Sequence, residues 1–202
     1  MIEFVSDLKP RLMAHRCGDA LERRPLASML KLLALGERPL ARDCYEPGHF
    51  TASGIVASPD GDALLMIHHA KLRLWLQPGG HLEPGDSTVV DTVAREVAEE
   101  TGLRDVDWGD GAIVHVDIHR IPAQRGEPDH EHYDVRIAGR ANSWKVRAES
   151  DATDVRWWPL AEISPETSDA SVVRALMAGS HYLARGRSGP LARFGGLGFT
   201  GE

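Results

Sequence analysis

The sequence predicts an α/β fold: an α/β/α sandwich around a mixed β-sheet, with a helical extension ahead of it. Three observations carry this reading. After residue 47, strand-like and helix-like runs follow in the order β-β-β-α-β-β-β-α, an alternation that lays helices on both faces of one sheet. A glycine loop at Gly79 and Gly80 feeds straight into a stretch of helical period. Residues 1–47 carry helical spacing alone.

In chain order, residues 1–47 predict a separate N-terminal helical extension. Leu26, Met29, Leu30 and Leu33 recur at helical spacing, Pro25 suits a first helical position and Gly36 suits the stop. Pro10 breaks or starts an earlier helix. The extension is either cover for the main domain or a surface for a second copy or partner, so a homodimer is one expectation. Residues 48–186 form the main domain. Residues 50–57 read as a strand, 59–62 as a turn and 63–69 as a second strand, which together make a hairpin. Residues 72–76 read as a short strand entering the glycine loop. A helix from Ser87 to Thr101 ends at Gly102, a residue suited to the terminating position. Residues 112–121, 132–138 and 154–158 read as the remaining strands. Ser168 is the expected N-cap of a closing helix to Arg185, with Ser164 before Pro165 as an alternative start a turn earlier and Val172, Ala175, Leu176 and Leu183 as its apolar stripe. Trp75, Trp157 and Trp158 are expected in the core. Residues 187–202 form a glycine-rich C-terminal tail.

Composition narrows the function. An apolar content of 42% over 202 residues supports one cored domain with extensions. A net charge of −7 argues against a nucleic-acid surface, while leaving room for a polyphosphate substrate whose charge a metal neutralises. Cys17 and Cys44 form neither a disulfide framework nor a Cys-x-x-Cys zinc ribbon. The acidic start lacks the apolar run of a signal peptide, and no stretch approaches the roughly 18 apolar residues of a membrane span. The expectation is a cytoplasmic protein with no nucleic-acid or membrane partner.

The chemistry concentrates between Gly79 and Leu103. At roughly 100° per residue, Glu96, Glu99 and Glu100 share one arc of the predicted helix, while Val90, Val93, Ala94, Val97 and Ala98 take much of the rest. Clustered carboxylates repel one another, and a hard cation such as Mg²⁺ relieves that repulsion through oxygen ligands. The other reading is a solvated charged face. With Arg95 beside the acids, the run resembles the Nudix box, Gly-x5-Glu-x7-Arg-Glu-U-x-Glu-Glu-x-Gly-U, where U is a bulky aliphatic residue. Gly80, Arg95, Glu96, Val97, Glu99, Glu100, Gly102 and Leu103 fill eight of its nine defined positions. The ninth, the first glutamate, is Asp86, and the spacer from Asp86 to Arg95 is eight residues rather than seven.

The resemblance implies the Nudix fold and a hydrolase, dependent on Mg²⁺ or Mn²⁺, that cleaves a diphosphate bond in a nucleoside diphosphate linked to another moiety. It implies that Glu96, Glu99, Glu100 and the carbonyl of Gly80 hold the metal. Arg95 orients these acids, and Glu96 or Glu99 is the box choice for general base. An arginine beside three carboxylates is expected to keep them ionised by lowering their pKa values. Asp86 is placed to cap the helix, and Asp91, four residues before Arg95, to serve as its ion-pair partner. Outside the box, Glu149, Asp151 and Asp154 form an acidic loop, and Glu131 and Asp134 are further candidates for the base.

Strand alternation puts His130, His132, Asp134 and Arg136 on one side and Tyr133, Val135 and Ile137 on the other. The first row, with His119, Glu131 and the loop residue His81, is the candidate substrate-binding wall. The plainer reading is a hydrogen-bonded solvent face. A zinc site among His115, His119, His130 and His132 is a further reading, although their spacings match no familiar zinc pattern. Lys71 and Arg73 are candidate phosphate contacts, and Tyr133 or Phe50 a candidate base platform. Against the hydrolase stand a non-catalytic nucleotide-ligand sensor on the same fold, which the three retained glutamates disfavour, and an isoprenoid diphosphate isomerase. The isomerase needs a placed catalytic cysteine, and neither Cys17 nor Cys44 sits in a setting that resembles that motif. RNA decapping would need a basic groove that the composition does not supply.

Overall fold

A computed structural model describes residues 2–186, except 71, 125 and 151. The glycine-rich tail 187–202, Lys71 and Asp151 lie outside the described residues. The elements are α1 (Ile2–Ala14), α2 (Arg23–Leu33), β1 (His49–Ala57), β2 (Ala63–His69), β3 (Trp75–Leu76), β4 (Gly79–His81), α3 (Val89–Thr101), β5 (Val106–Asp107), β6 (Ile113–Ile121), β7 (His130–Ala141), β8 (Ala152–Pro159) and α4 (Ala170–Gly186). No described helix is long and apolar enough to cross a membrane.

Strand β1, buried along its whole length, is the spine of the mixed sheet. It runs parallel to β7 from the His49–His132 pair to the Ala57–Arg140 pair, and antiparallel to β4 through Thr51–His81, Ala52–Gly80 and Ser53–Gly79. Strand β6 pairs antiparallel with β7, and β8 with β2. The expected hairpin forms only at its turn. β1 and β2 meet at Ala57–Leu64 and then diverge, because β1 is taken by β4 and β7 while β2 is taken by β8 and β3. The glycine loop is itself a strand, β4, which among the described residues pairs only with β1.

Alternation divides the core into two. Phe50, Ala52, Val135 and Ile137 face α1, α2 and α3, packing with Phe4, Leu8, Met29, Val93 and Val97. Ile55, Ala57, Val114 and Ala138 face α4, packing with Val172, Ala175 and Leu176. This places the tryptophans too. Trp75, Trp157 and Trp158 are only half-buried at the rims of the two clusters, with the Arg156 guanidinium over the Trp75 ring at 4.9 Å and the Trp158 ring at 5.6 Å. Phe50 and Tyr133 lie inside the first cluster and offer no stacking platform.

The extension packs into the same core and braces the site. Phe4, Leu8 and Leu12, each four apart, are buried and carry α1 straight through Pro10, whose ring lies on the exposed side. Pro10 therefore does not break the helix. Asp7 accepts the Val89 amide of α3 at 3.0 Å, one of the donors a helix start leaves without a partner. Glu22 accepts the Val116 amide at 3.0 Å and faces His15 at 3.0 Å, with both side chains buried. At α4 the cap is Asp169, which accepts the amides of Ser171 at 2.8 Å and Val172 at 2.9 Å, and not Ser168. A carboxylate adjoining the helix start outcompetes a hydroxyl one residue earlier.

Candidate active site

The start of α3 reverses two expected roles. Thr88 is the N-cap: its hydroxyl accepts the Asp91 amide at 3.1 Å, and the Asp91 carboxylate accepts the Thr88 amide at 2.8 Å, a reciprocal capping box. Asp91 is thereby committed to the cap and is not the partner of Arg95. Asp86, buried in the loop, takes that place. It accepts Arg95 Nε at 3.2 Å and Nη2 at 3.0 Å, the Thr92 hydroxyl at 2.9 Å and the Glu83 amide at 2.9 Å. The longer spacer is absorbed before Val89, so the acids of α3 keep their phase. Burial pushes the Asp86 pKa up, but the bonds from Arg95, the Glu83 amide and Thr92 outweigh it and hold the group below the ordinary carboxylate value.

Arg95 is a hub. Its Nη1 donates to Glu96 Oε1 at 2.8 Å and to Glu99 Oε2 at 3.4 Å, and its Nη2 to the His81 carbonyl at 2.7 Å. One planar guanidinium thus joins the loop, β4 and two glutamates. Glu100, 5% exposed, accepts the Gly79 amide at 2.9 Å and so ties β4 to α3 from the other end. A Cβ on Gly80 would lie 2.6 Å from the Glu96 carboxyl carbon, so only glycine lets the strand meet this carboxylate. Arg95 does not depress every acid it touches. Burial raises the Glu96 pKa, the charges of Glu99 and Glu83 add to the rise, and Arg95 only partly offsets them. This crowded, hard-oxygen set suits a divalent cation, which would relieve the charge repulsion that adds to the effect of burial on Glu96.

The opposite face of the same strands carries histidines. Gly80 faces α3, so His81, the next residue, faces the α4 side, together with Thr51, Asp134, His49 and His132. The ring centroids of His49 lie 5.1 Å from His81, 5.0 Å from His130 and 4.6 Å from His132. His119, on β6 opposite His132, closes the group at 5.5 Å from it. Burial pulls the His81 pKa down to about 4 and the His132 pKa down to about 2, with the mutual repulsion of the imidazoles adding to the fall. Both rings are therefore neutral at pH 7.

Further along this face the substrate-wall expectation is corrected. Asp134 and Arg136 are each 2% exposed and bond to one another at 2.7 Å. Asp134 also accepts the hydroxyls of Thr51 at 3.1 Å and Ser53 at 2.9 Å, while Arg136 reaches the Ser171 carbonyl at 3.1 Å and hydroxyl at 3.0 Å. The N-terminal turn of α4 seals this pair beneath it, so neither side chain is open to substrate. Glu131, by alternation, faces away from His132 and instead accepts the Tyr133 hydroxyl at 3.0 Å. Of the expected wall, His81, His119, His130 and His132 come together. The sequence reading misses His49, because it starts the strand at the apolar Phe50. It also misses Asp117, which stands 3.3 Å from His119 Nδ1 and 3.7 Å from Arg136. The pKa of Asp117 is depressed: burial opposes the shift, and His119, Arg136 and Ser171 together overcome it. In the acidic loop, the Glu149 amide donates to the Glu100 carbonyl at 2.9 Å and its side chain pairs with Arg147 at 2.6 Å, while Asp154 stays exposed.

Residues 48–178 match the profile of the family described as "NUDIX domain". Over 134 residues the chain is 29% identical to a Mycobacterium tuberculosis protein named ADP-ribose pyrophosphatase, an alignment covering 63% of this chain and 61% of that protein. A MutT-like protein of Streptomyces ambofaciens is 29% identical over 128 residues, covering 63% of this chain and 75% of that one. The chain therefore spans somewhat under two thirds of the mycobacterial relative. A solved Nudix-family hydrolase from Clostridium perfringens superposes with a TM-score of 0.50 at 19% identity, covering 67% of this chain and 97% of that one, and shares the fold. The chain belongs to the Nudix family.

Proposed function

We propose that this Nudix-family chain is a divalent-metal-dependent hydrolase of the diphosphate bond in a nucleoside diphosphate linked to another moiety. The observation that carries the reading is the Arg95 hub, which joins Asp86, Glu96, Glu99 and the His81 carbonyl while Glu100 ties down Gly79. Glu96, Glu99, Glu100 and the Gly80 carbonyl are the residues to hold Mg²⁺ or Mn²⁺, which when bound polarises a phosphoryl oxygen and acidifies a water.

The protein's own part is preorganisation. Arg95 is a positioning residue: its donors are spent on acids and backbone, so it fixes where the carboxylates stand and does not reach for phosphate. Glu96, with its raised pKa, and Glu99, whose side chain is half exposed, are the groups to accept a proton from the attacking water. His81, His119 and His132 offer imidazole nitrogens to the diphosphate or to the group it leaves with. ADP-ribose is the first substrate to test, because the mycobacterial relative bears that activity in its name.

A nucleotide-ligand sensor is the second reading, resting on Asp86 in place of glutamate and on the lengthened spacer. It is weakened because Asp86 still engages Arg95 through both carboxylate oxygens. A panel of nucleoside diphosphate derivatives, incubated with Mg²⁺ or with chelator, separates the two. The hydrolase gives a nucleoside monophosphate and a second phosphorylated product only with metal. Nucleotide binding without any product would favour the sensor.

A further inference from the structure

We propose a second metal site in this protein, distinct from the carboxylate cluster: His49, His81 and His132 bind a divalent transition-metal ion such as Zn²⁺ or Co²⁺ through imidazole nitrogens on the α4 side of the sheet. One ligand nitrogen from each lies within 4.8 Å of the others. Zinc–nitrogen bonds of about 2.0–2.1 Å need tetrahedral donors about 3.4 Å apart, so small side-chain rotations close the set.

His49 makes the strongest case. It is fully buried, and its Nδ1 stands 3.1 Å from the Cys44 carbonyl, which can only accept. That bond puts the ring proton on Nδ1 and leaves Nε2 as a bare lone pair. Nε2 is buried and has no hydrogen-bond partner. A neutral imidazole fixed by a backbone carbonyl, with its other nitrogen aimed at neighbouring imidazoles, is how a protein prepares a metal-ligating histidine. An orphaned buried acceptor is unfavourable, and a cation would satisfy it.

His130 repeats the arrangement. Its Nδ1 stands 2.7 Å from the Pro128 carbonyl, and its Nε2 meets His132 Nε2 at 3.3 Å. Two imidazole nitrogens at this distance can share one proton or one cation. The strands explain why four rings converge: His49 pairs with His132 across β1 and β7, while Thr51, on the same face as His49, pairs with His81. The donor set is imidazole rather than carboxylate, which suits zinc-like ions and discriminates against magnesium. Three protein ligands leave one position for water or a phosphate oxygen, the ligand count of an open site.

The site shares His81 and His132 with the proposed substrate contacts but none of the carboxylates, and its test does not depend on turnover. Metal-free protein carrying Glu99→Gln and Glu100→Gln, which disables the carboxylate cluster, is titrated with Co²⁺ and followed by visible absorption. The expected result is about one equivalent of Co²⁺ with the intense d–d bands of a four-coordinate, nitrogen-rich centre. His81→Ala and His132→Ala, each in that background and checked for folding by circular dichroism, should weaken uptake at least tenfold. His81 is only half-buried on a three-residue strand, so His81→Ala carries the test if His132→Ala fails to fold. Absence of those bands in the parent, or unchanged uptake by folded His81→Ala, would overturn the proposal. Neither result bears on Mg²⁺-dependent hydrolysis.

Discussion

The two faces of the β1–β4 seam meet the same problem with opposite chemistry. On the α3 side, Glu96, Glu99 and Glu100 crowd negative charge around Gly80, and one guanidinium holds most of it in place. On the α4 side, His49, His81 and His132 crowd neutral rings, and backbone strands and carbonyls hold them. Gly80 and His81 are consecutive residues, so the pleat of one short strand separates a hard-oxygen set from a nitrogen set. The α4 face is itself divided: where α4 covers it, Asp134 and Arg136 are locked into structure, and beyond the helix start the histidines gather, His49 buried and His81 and His132 half-buried. What lies over a strand decides whether its polar row is scaffold or site.

The largest expected effect breaks the closed half of that face. Arg136→Ala leaves the Asp134 carboxylate buried without its main partner and should cost about 3–5 kcal/mol. Urea unfolding would register this as a lowered midpoint. A changed KM with stability intact would return Arg136 to the substrate wall.

Next comes Asp86→Ala, which releases Arg95 and with it the aim of Glu96 and Glu99. Loss of such an outer partner of carboxylates proposed to bind metal should reduce kcat/KM about 10–100-fold. Asp91→Ala is its control: it removes the capping box and the Ser87 amide's acceptor, costing about 1 kcal/mol of stability and leaving kcat within about twofold. Equal kinetic losses in the two variants would restore the role that sequence spacing assigned to Asp91. Gly80→Ala should lower activity about tenfold, because the methyl displaces the Glu96 carboxylate, one of the proposed catalytic groups. Its thermal melt should move little, since the contact is to a side-chain end and not to backbone.

The smallest effect is on pH dependence, and the two faces pull it in opposite directions. His81 and His115 fall from 6.5 to about 4, burial being the first cause in each. Between those values the unfolded chain holds more protons, so the histidine contribution is complete above about pH 6.5 and is lost as the pH falls. Glu22 runs the same way. Burial opposes the shift, but the His15 bond and the amides of Gly18 and Val116 bring it from 4.5 to about 2, so its contribution fades as acid approaches about pH 2. Glu96, with its raised value, binds its proton more readily in the folded state and loses stability as the pH rises. Denaturant midpoints from pH 4 to 8 should therefore rise with pH, and Glu96→Gln should steepen that rise. A flat profile would mean that the histidine face is solvated.

What the sequence made legible was local. The phase of Glu96, Glu99 and Glu100 follows from a period that needs no partner, and Gly102 ends α3 in the left-handed conformation with φ 67°. The Thr88-x-x-Asp91 capping box was also there to read, and the pull of Asp86 as a cap concealed it. Register between distant strands was not legible. Alternation rightly grouped His132, Asp134 and Arg136, but nothing local says that Ser171 of α4 closes over Arg136. Nor does it say that β1 lies parallel to β7 and so brings His49 to His132. The histidine cluster is a product of that long-range pairing.

The most direct test of the account is Mg²⁺-dependent hydrolysis of ADP-ribose and related nucleoside diphosphates by the parent protein, Glu99→Gln and Glu100→Gln. The amide oxygen that Glu100→Gln introduces can still accept the Gly79 N–H, so this change removes charge while keeping the tie between β4 and α3. The account predicts metal-dependent turnover in the parent and a loss of about 100-fold or more in each variant, with melting temperatures preserved. Turnover that survives both substitutions would contradict it.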